Sequence, residues 1–61
     1  MVDKDYIERE YRQAILEFKT AKTEEERWEF RKTMARLEQI AMQDHGFDYA
    51  DQLHNLIDDI G

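Results

Sequence analysis

Residues 21–30, with the sequence AKTEEERWEF, decide the fold, because they either continue one long helix or separate two helices. Thr23 followed by Glu26 has the spacing of a capping box, in which the two side chains accept hydrogen bonds from free amides at a helix N-terminus. The two acidic residues between them suit the positive end of the helix dipole. The stretch therefore predicts a turn near Lys22 and Thr23 and a helix that begins at Glu24.

The apolar residues on the two sides of this stretch support a turn, because their stripes are out of phase. Upstream, apolar residues three and four positions apart predict an amphipathic helix over about residues 5–21, capped by Asp3 or Asp5. Its stripe is Ile7, Tyr11, Ala14, Ile15, Phe18 and Ala21. Downstream, the best stripe is Phe30, Met34, Leu37 and Ala41. The register of the first helix would instead bury polar residues, namely Glu25, Lys32 and Gln39. One continuous long helix is the alternative.

A second boundary lies at His45-Gly46-Phe47. Gly46 is suited to end the second helix, predicted over about residues 24–45, because glycine adopts the left-handed conformation without strain. Phe47 is expected to pack back on Met42, as in a Schellman motif. The large core side chains are then Tyr11, Phe18, Phe30, Met34 and Phe47.

A short third helix is predicted over about residues 49–60, with Asp48 as its N-cap. Its apolar stripe is Ala50, Leu53, Leu56 or Ile57, and Ile60. A helix of this length is unstable alone and must pack on the other two. The prediction is an all-α fold with one domain, residues 1–61, in which a helical hairpin is closed by the third helix to give a three-helix bundle.

Length and composition limit how such a chain is stabilised. A domain of 61 residues buries too little surface for high stability, and with no Cys it has no disulfide or thiolate metal site. What remains is either a helical core that is stable alone or self-association. The start of the chain is charged and no apolar run approaches the roughly 20 residues of a membrane span, so we expect a cytoplasmic protein with no membrane contact.

The charge of the chain is strongly asymmetric. All nine Lys and Arg residues lie within residues 1–36, where nine acidic residues balance them. The net charge of −6 therefore arises from residues 37–61, through Glu38, Asp44, Asp48, Asp51, Asp58 and Asp59. Such a segment repels nucleic acid and attracts basic surfaces. It is either a solvated face that aids solubility or a patch that binds a basic partner.

Catalytic and metal sites are not expected. The chain has neither Cys nor Ser, and paired carboxylates mean little among 15 acidic residues. Asp51, His54 and Asp58 have a spacing that places them on one helix face. Three further residues that could bind a metal lie nearby in the sequence, Asp44, His45 and Asp48. Several of these have local roles at helix ends. We therefore predict a non-enzymatic protein with no metal and no cofactor.

Direct binding to nucleic acid is also not expected, although the second and third helices resemble a helix-turn-helix. The layout Ile40-Ala41, Gly46-Phe47, Leu53 and Leu56 is similar to that motif, but the Ala-to-Gly spacing is five rather than the commoner four. The would-be recognition helix has no Lys or Arg to contact phosphates.

The side chains left over from the core predict a protein-binding role. Trp28, Ala35 and Met42 form a second apolar row on the second helix, seven residues apart. We expect Trp28 and Met42 to anchor a partner, and three acidic residues to complement its charge, Asp51, Asp58 and Asp59. The predicted function is a small acidic interaction or regulatory module that forms a homodimer and binds another protein with a basic surface. The alternatives are an inhibitor that mimics DNA toward a nucleic-acid-binding protein, and a structural unit that only self-assembles.

Overall fold

A computed structural model describes residues 1–59, and these form three helices, α1 (Lys4–Thr20), α2 (Glu24–His45) and α3 (Phe47–Asp59). Helix α2 is central and packs against both neighbours, whereas α1 and α3 touch each other only lightly. The three helices pack as a small all-α bundle, as predicted. No helix within residues 1–59 combines the length and the apolar character that crossing a membrane requires.

The turn between α1 and α2 lies where the sequence predicts it. The Thr23 hydroxyl accepts a hydrogen bond from the amide of Glu26 at 3.2 Å. The Glu26 carboxylate accepts one from the amide of Lys22 at 3.1 Å, so the reciprocal bond of the capping box is made one residue earlier than usual. At the start of the first helix, the N-cap is Asp3 rather than Asp5. The single long helix is therefore wrong.

The corner between α2 and α3 is built on one residue. Gly46 has φ 95° and ψ 167°, and its amide donates to the carbonyl of Met42 at 3.1 Å. Its own carbonyl accepts from the amide of Ala50 at 3.3 Å, so Gly46 both ends α2 and precedes α3. The predicted start at Tyr49 with Asp48 as N-cap is wrong, because the Gly46 carbonyl already opens the new helix. Asp48 lies in the first turn of α3 instead.

The prediction that Phe47 belongs to the core is wrong for the same reason. Phe47 is the first residue of α3, and 70% of its surface is exposed. Six positions separate it from the buried Leu53, which places the two side chains on different sides of α3. The left-handed Schellman geometry does not form, because the extended ψ of Gly46 leads directly into α3.

The core takes one stripe from each helix, as the apolar spacing predicts. The buried side chains are Ile7, Tyr11, Ala14, Ile15, Met34, Leu37, Ala41 and Leu53. Partly buried side chains pack against the edge of this core, among them Phe18, Ile40, Tyr49, Ala50, Leu56 and Ile57. Phe30 is half-buried. The predicted contribution of Ile60, and the predicted end of the third helix at residue 60, lie outside the described residues.

Polar contacts also tie the helices together. The Tyr11 hydroxyl of α1 donates to Glu38 Oε2 at 2.9 Å, and Glu38 Oε1 lies 3.1 Å from Nδ1 of His54 in α3. Burial of Tyr11, together with its hydrogen bond to Glu38 and the charge of that carboxylate, raises the pKa of the phenol. Lys19 of α1 donates to the carbonyl of Ile57 at 2.9 Å and so supplies the cation that the C-terminal end of α3 lacks.

Candidate protein-binding groove

An open groove of about 330 Å³ runs between the outer sides of α2 and α3. Its apolar lining consists of Ala35, Met42, Phe47 and Ala50. Its polar lining consists of Glu38, Gln39, Asp51 and His54. We call these eight residues the α2–α3 groove.

The apolar side chains of this groove are unusually accessible. Met42 is 47% exposed and the neighbouring Phe47 is 70% exposed. Met42 belongs to the row of Trp28, Ala35 and Met42, whose seven-residue spacing keeps it on one side of α2. Single exposed apolar residues are ordinary, but two large ones at the mouth of a groove are typical of an interaction site.

The rim of the groove is acidic. Phe47, Asp51, His54 and Asp58 follow spacings of four, three and four, which places them along one side of α3. Asp51 and Asp58 form no ion pair within residues 1–59, whereas Glu38 is held by Tyr11 and His54. The groove also lies in the half of the sequence that has almost no positive charge, since Lys and Arg end at Arg36. It therefore presents unpaired negative charge beside exposed apolar surface.

Asp59 does not share this side of the molecule. It lies seven residues after Gln52, and the two therefore occupy the same side of α3. Gln52 lines a small depression together with Glu8 of α1. Of the three acidic residues expected to meet a partner, Asp51 lines the groove, Asp58 shares its side of α3 by helical spacing, and Asp59 lies on a different side of the helix.

Trp28 lies in a separate depression of about 380 Å³, which it lines with Phe18, Glu24, Arg27 and Arg31. Trp28 is 59% exposed. Fourteen residues separate it from Met42, which corresponds to about 21 Å along the axis of α2. Trp28 and Met42, the two expected apolar anchors, are thus both exposed on α2 but line different depressions.

The basic residues beside Trp28 are unpaired. Neither Arg27 nor Arg31 forms an ion pair with any residue in the described part of the chain. Lys32, on the same helix, pairs with Glu29 at 3.3 Å. Among the described residues, two arginines without an ion pair thus lie beside Trp28 and Glu24, while Asp51, also without an ion pair, lies beside the C-terminal half of α2.

Two of the residues with metal-ligating side chains, Asp44 and His45, bond the first residues of the chain. The Asp44 carboxylate accepts a hydrogen bond from the amide of Val2 at 2.8 Å, and His45 Nε2 bonds the carbonyl of Val2. Tyr49 donates to the carbonyl of Lys4 at 3.1 Å. Within residues 1–59, no three His, Asp or Glu side chains are placed to hold a metal ion together. The corner between α2 and α3 thus holds the first residues of the chain.

The Glu38–His54 pair is the arrangement that orients a histidine for proton transfer. The lining of the groove places carboxylates and apolar side chains beside this pair.

Sequence reasoning missed Phe47, Ala50, Arg27 and Arg31 as surface residues of interest. Phe47 was detectable in principle, because its spacing to Asp51 and His54 is helical once α3 is known to start at residue 47. The start of α3 depends on the ψ angle of Gly46, and no local sequence pattern predicts this angle. Arg27 and Arg31 are of interest only because the structure shows that the tryptophan between them is exposed.

No protein-family model, no curated protein and no solved structure matches this chain. The α2–α3 groove and the charges around it are therefore the basis for a functional proposal.

Proposed function

We propose that this protein is a small non-enzymatic interaction module that binds a basic, amphipathic protein segment in the α2–α3 groove. The observation that carries the proposal is the adjacency of exposed Met42 and Phe47 to the unpaired Asp51. Fully burying a Met or Phe side chain contributes about 1.5–3 kcal/mol each. Because Met42 and Phe47 are already partly covered, 47% and 70% exposed, a partner gains only part of this free energy at each side chain.

Charge decides which partner fits. An apolar groove alone would accept any amphipathic helix, but Asp51 and Asp58 repel an acidic one and steer a basic one to the site. The expected ligand presents apolar side chains at helical spacing, flanked by Lys or Arg. A regulatory module would act by covering such a segment on its target.

The alternative role as a DNA mimic receives less support. A DNA mimic competes through many regularly spaced negative charges, because phosphate contacts supply most of the affinity of a nucleic-acid-binding protein. Here two unpaired acids accompany a mainly apolar groove. This composition supports a protein segment as the ligand.

A display selection tests the proposal. A library of helical peptides with randomised charges is selected against the wild-type protein, and enriched peptides are then measured with variants. We expect Lys or Arg beside apolar positions, loss of binding with Phe47→Ser, and weaker binding with Asp51→Asn and Asp58→Asn. Asp59→Asn is the matched control. Enriched peptides without basic residues, or peptides that bind Phe47→Ser as well as wild type, would contradict the proposal.

A further inference from the structure

The chain carries on its own surface a segment of the kind that the groove would bind. Arg27, Trp28 and Arg31 are exposed on α2, and both arginines lack an ion pair within residues 1–59. Trp28 is the only tryptophan of the chain and is 59% exposed. An exposed tryptophan flanked by two arginines thus lies on the same protein as a groove with apolar and acidic lining.

We infer that a second copy of this chain occupies the groove, in an antiparallel two-fold dimer of α2 centred at Ala35. The inference rests on the proposed function, since it names the segment that the groove binds. A two-fold interface is isologous, so each contact occurs twice and both grooves are filled at once.

The apolar spacing fits this arrangement. Trp28 and Met42 lie seven residues before and after Ala35 on the same side of α2. Antiparallel pairing about Ala35 places Trp28 of one copy against Met42 of the other, beside its Phe47. The small side chain at the centre lets the two helices approach closely. A parallel pair would instead place Trp28 on Trp28 and leave both grooves open.

The charges fit the same arrangement. Arg31 precedes Ala35 by one turn, Glu38 follows it by about one turn, and these two residues line a depression beside α3 with Ala35. Reversal of one α2 about Ala35 therefore sets Arg31 opposite Glu38 and the neighbouring Asp51 of the second copy. A parallel pair would oppose Arg31 to Arg31 and acid to acid, which is unfavourable.

Sedimentation equilibrium over a range of protein concentrations tests the dimer. We expect Trp28→Ala to raise the dimer Kd at least about 30-fold, as for a central aromatic anchor. Arg31→Glu and Asp51→Arg should each raise it at least about tenfold. Arg36→Glu and Asp59→Arg, which reverse charge on other sides of α2 and α3, should leave it within about twofold. Circular dichroism verifies that each variant is folded.

The outcomes separate this inference from the proposed function. A wild-type protein that is monomeric up to about 1 mM overturns the dimer. A dimer that Arg36→Glu weakens as much as Arg31→Glu overturns the antiparallel geometry. In either case the display selection still tests whether the groove binds a basic segment, because a selected peptide can bind the monomeric protein. If the peptides fail as well, the proposed function falls with the dimer.

Discussion

Gly46 shows how one residue determines the arrangement of a whole helix. Its φ of 95° and ψ of 167° lie in a region that only glycine visits readily. Because the residue closes α2 and opens α3 at once, the two helices are joined without a loop. Phe47 is therefore placed on the outer surface, where it helps form the groove.

Replacement of Gly46 by Ala tests this role. An added Cβ meets nothing within 4 Å, so the cost comes from backbone strain alone. We expect Gly46→Ala to lower the free energy of unfolding by about 1–3 kcal/mol, measured by urea denaturation. Unchanged stability would mean that the corner does not need the glycine conformation.

Tyr11 gives the protein a defined response to alkaline pH. Its phenol is fully buried and its pKa is raised by that burial and by Glu38, so the folded protein holds this proton more tightly than the unfolded chain. The stabilising effect is complete below about pH 10 and is lost as pH rises above it, by up to about 1.4 kcal/mol per pH unit. Unfolding releases the proton and is therefore favoured by high pH.

The Tyr11→Phe variant isolates this effect. Chemical denaturation of both proteins from about pH 8 to about pH 11 should show stability falling less steeply for Tyr11→Phe above about pH 10. The raised pKa of Tyr49, which follows burial and the nearby Glu8, Asp5 and Asp3, is common to both proteins and cancels in the difference. Parallel curves would show that Tyr11 does not control the alkaline transition.

At the scale of the elements, α3 depends most on its neighbours. It spans 13 residues, too few to be stable alone, and its one fully buried side chain is Leu53 among those described. Lys19 of α1 bonds the carbonyl of Ile57 near its end. The groove therefore persists only while α3 stays docked on α2.

Leu53→Ala tests how α3 is held. Removal of a buried leucine side chain costs about 2–5 kcal/mol, which approaches the whole stability expected for a domain of this size. Hydrogen exchange should show the amides of α3 losing most of their protection. Asn55→Ala, an exposed change on the same helix, is the matched control. Equal protection in the two variants would contradict the dependence of α3 on Leu53.

The sequence predicts the helices well and the corner between α2 and α3 poorly. Periodicity determines which side chains are buried, and the spacing of apolar residues alone predicts the buried stripes of α1 and α2. The start of α3 is not predicted in this way, because Asp48 is an acceptable N-cap and nothing local shows that the Gly46 carbonyl takes that role. This error in the start of α3 moved Phe47 from the expected core to the surface.

At the scale of the molecule, the structure shows where the charged residues of the two halves of the sequence lie relative to each other. Within residues 1–59, Arg27 and Arg31 on one half of α2 and Asp51 beside the other half form no ion pair. The sequence alone places Trp28 and Met42 in one row of α2, about 21 Å apart. The structure adds that the two side chains line different depressions. In the proposed dimer they form the two ends of a reciprocal surface.

Mixing two charge-reversed variants tests the central claim most directly. Arg31→Glu and Asp51→Arg should each dimerise at least about tenfold more weakly than the wild type in sedimentation equilibrium, because each places like charges at both ends of the dimer. An equimolar mixture should dimerise more tightly than either variant alone, although less tightly than the wild type, because the introduced glutamate still faces Glu38 of the other copy. In the antiparallel heterodimer the introduced glutamate of one variant meets the introduced arginine of the other, while the native Asp51 and Arg31 meet at the opposite end. A mixture as monomeric as its components would contradict the reciprocal pairing of Arg31 with Asp51.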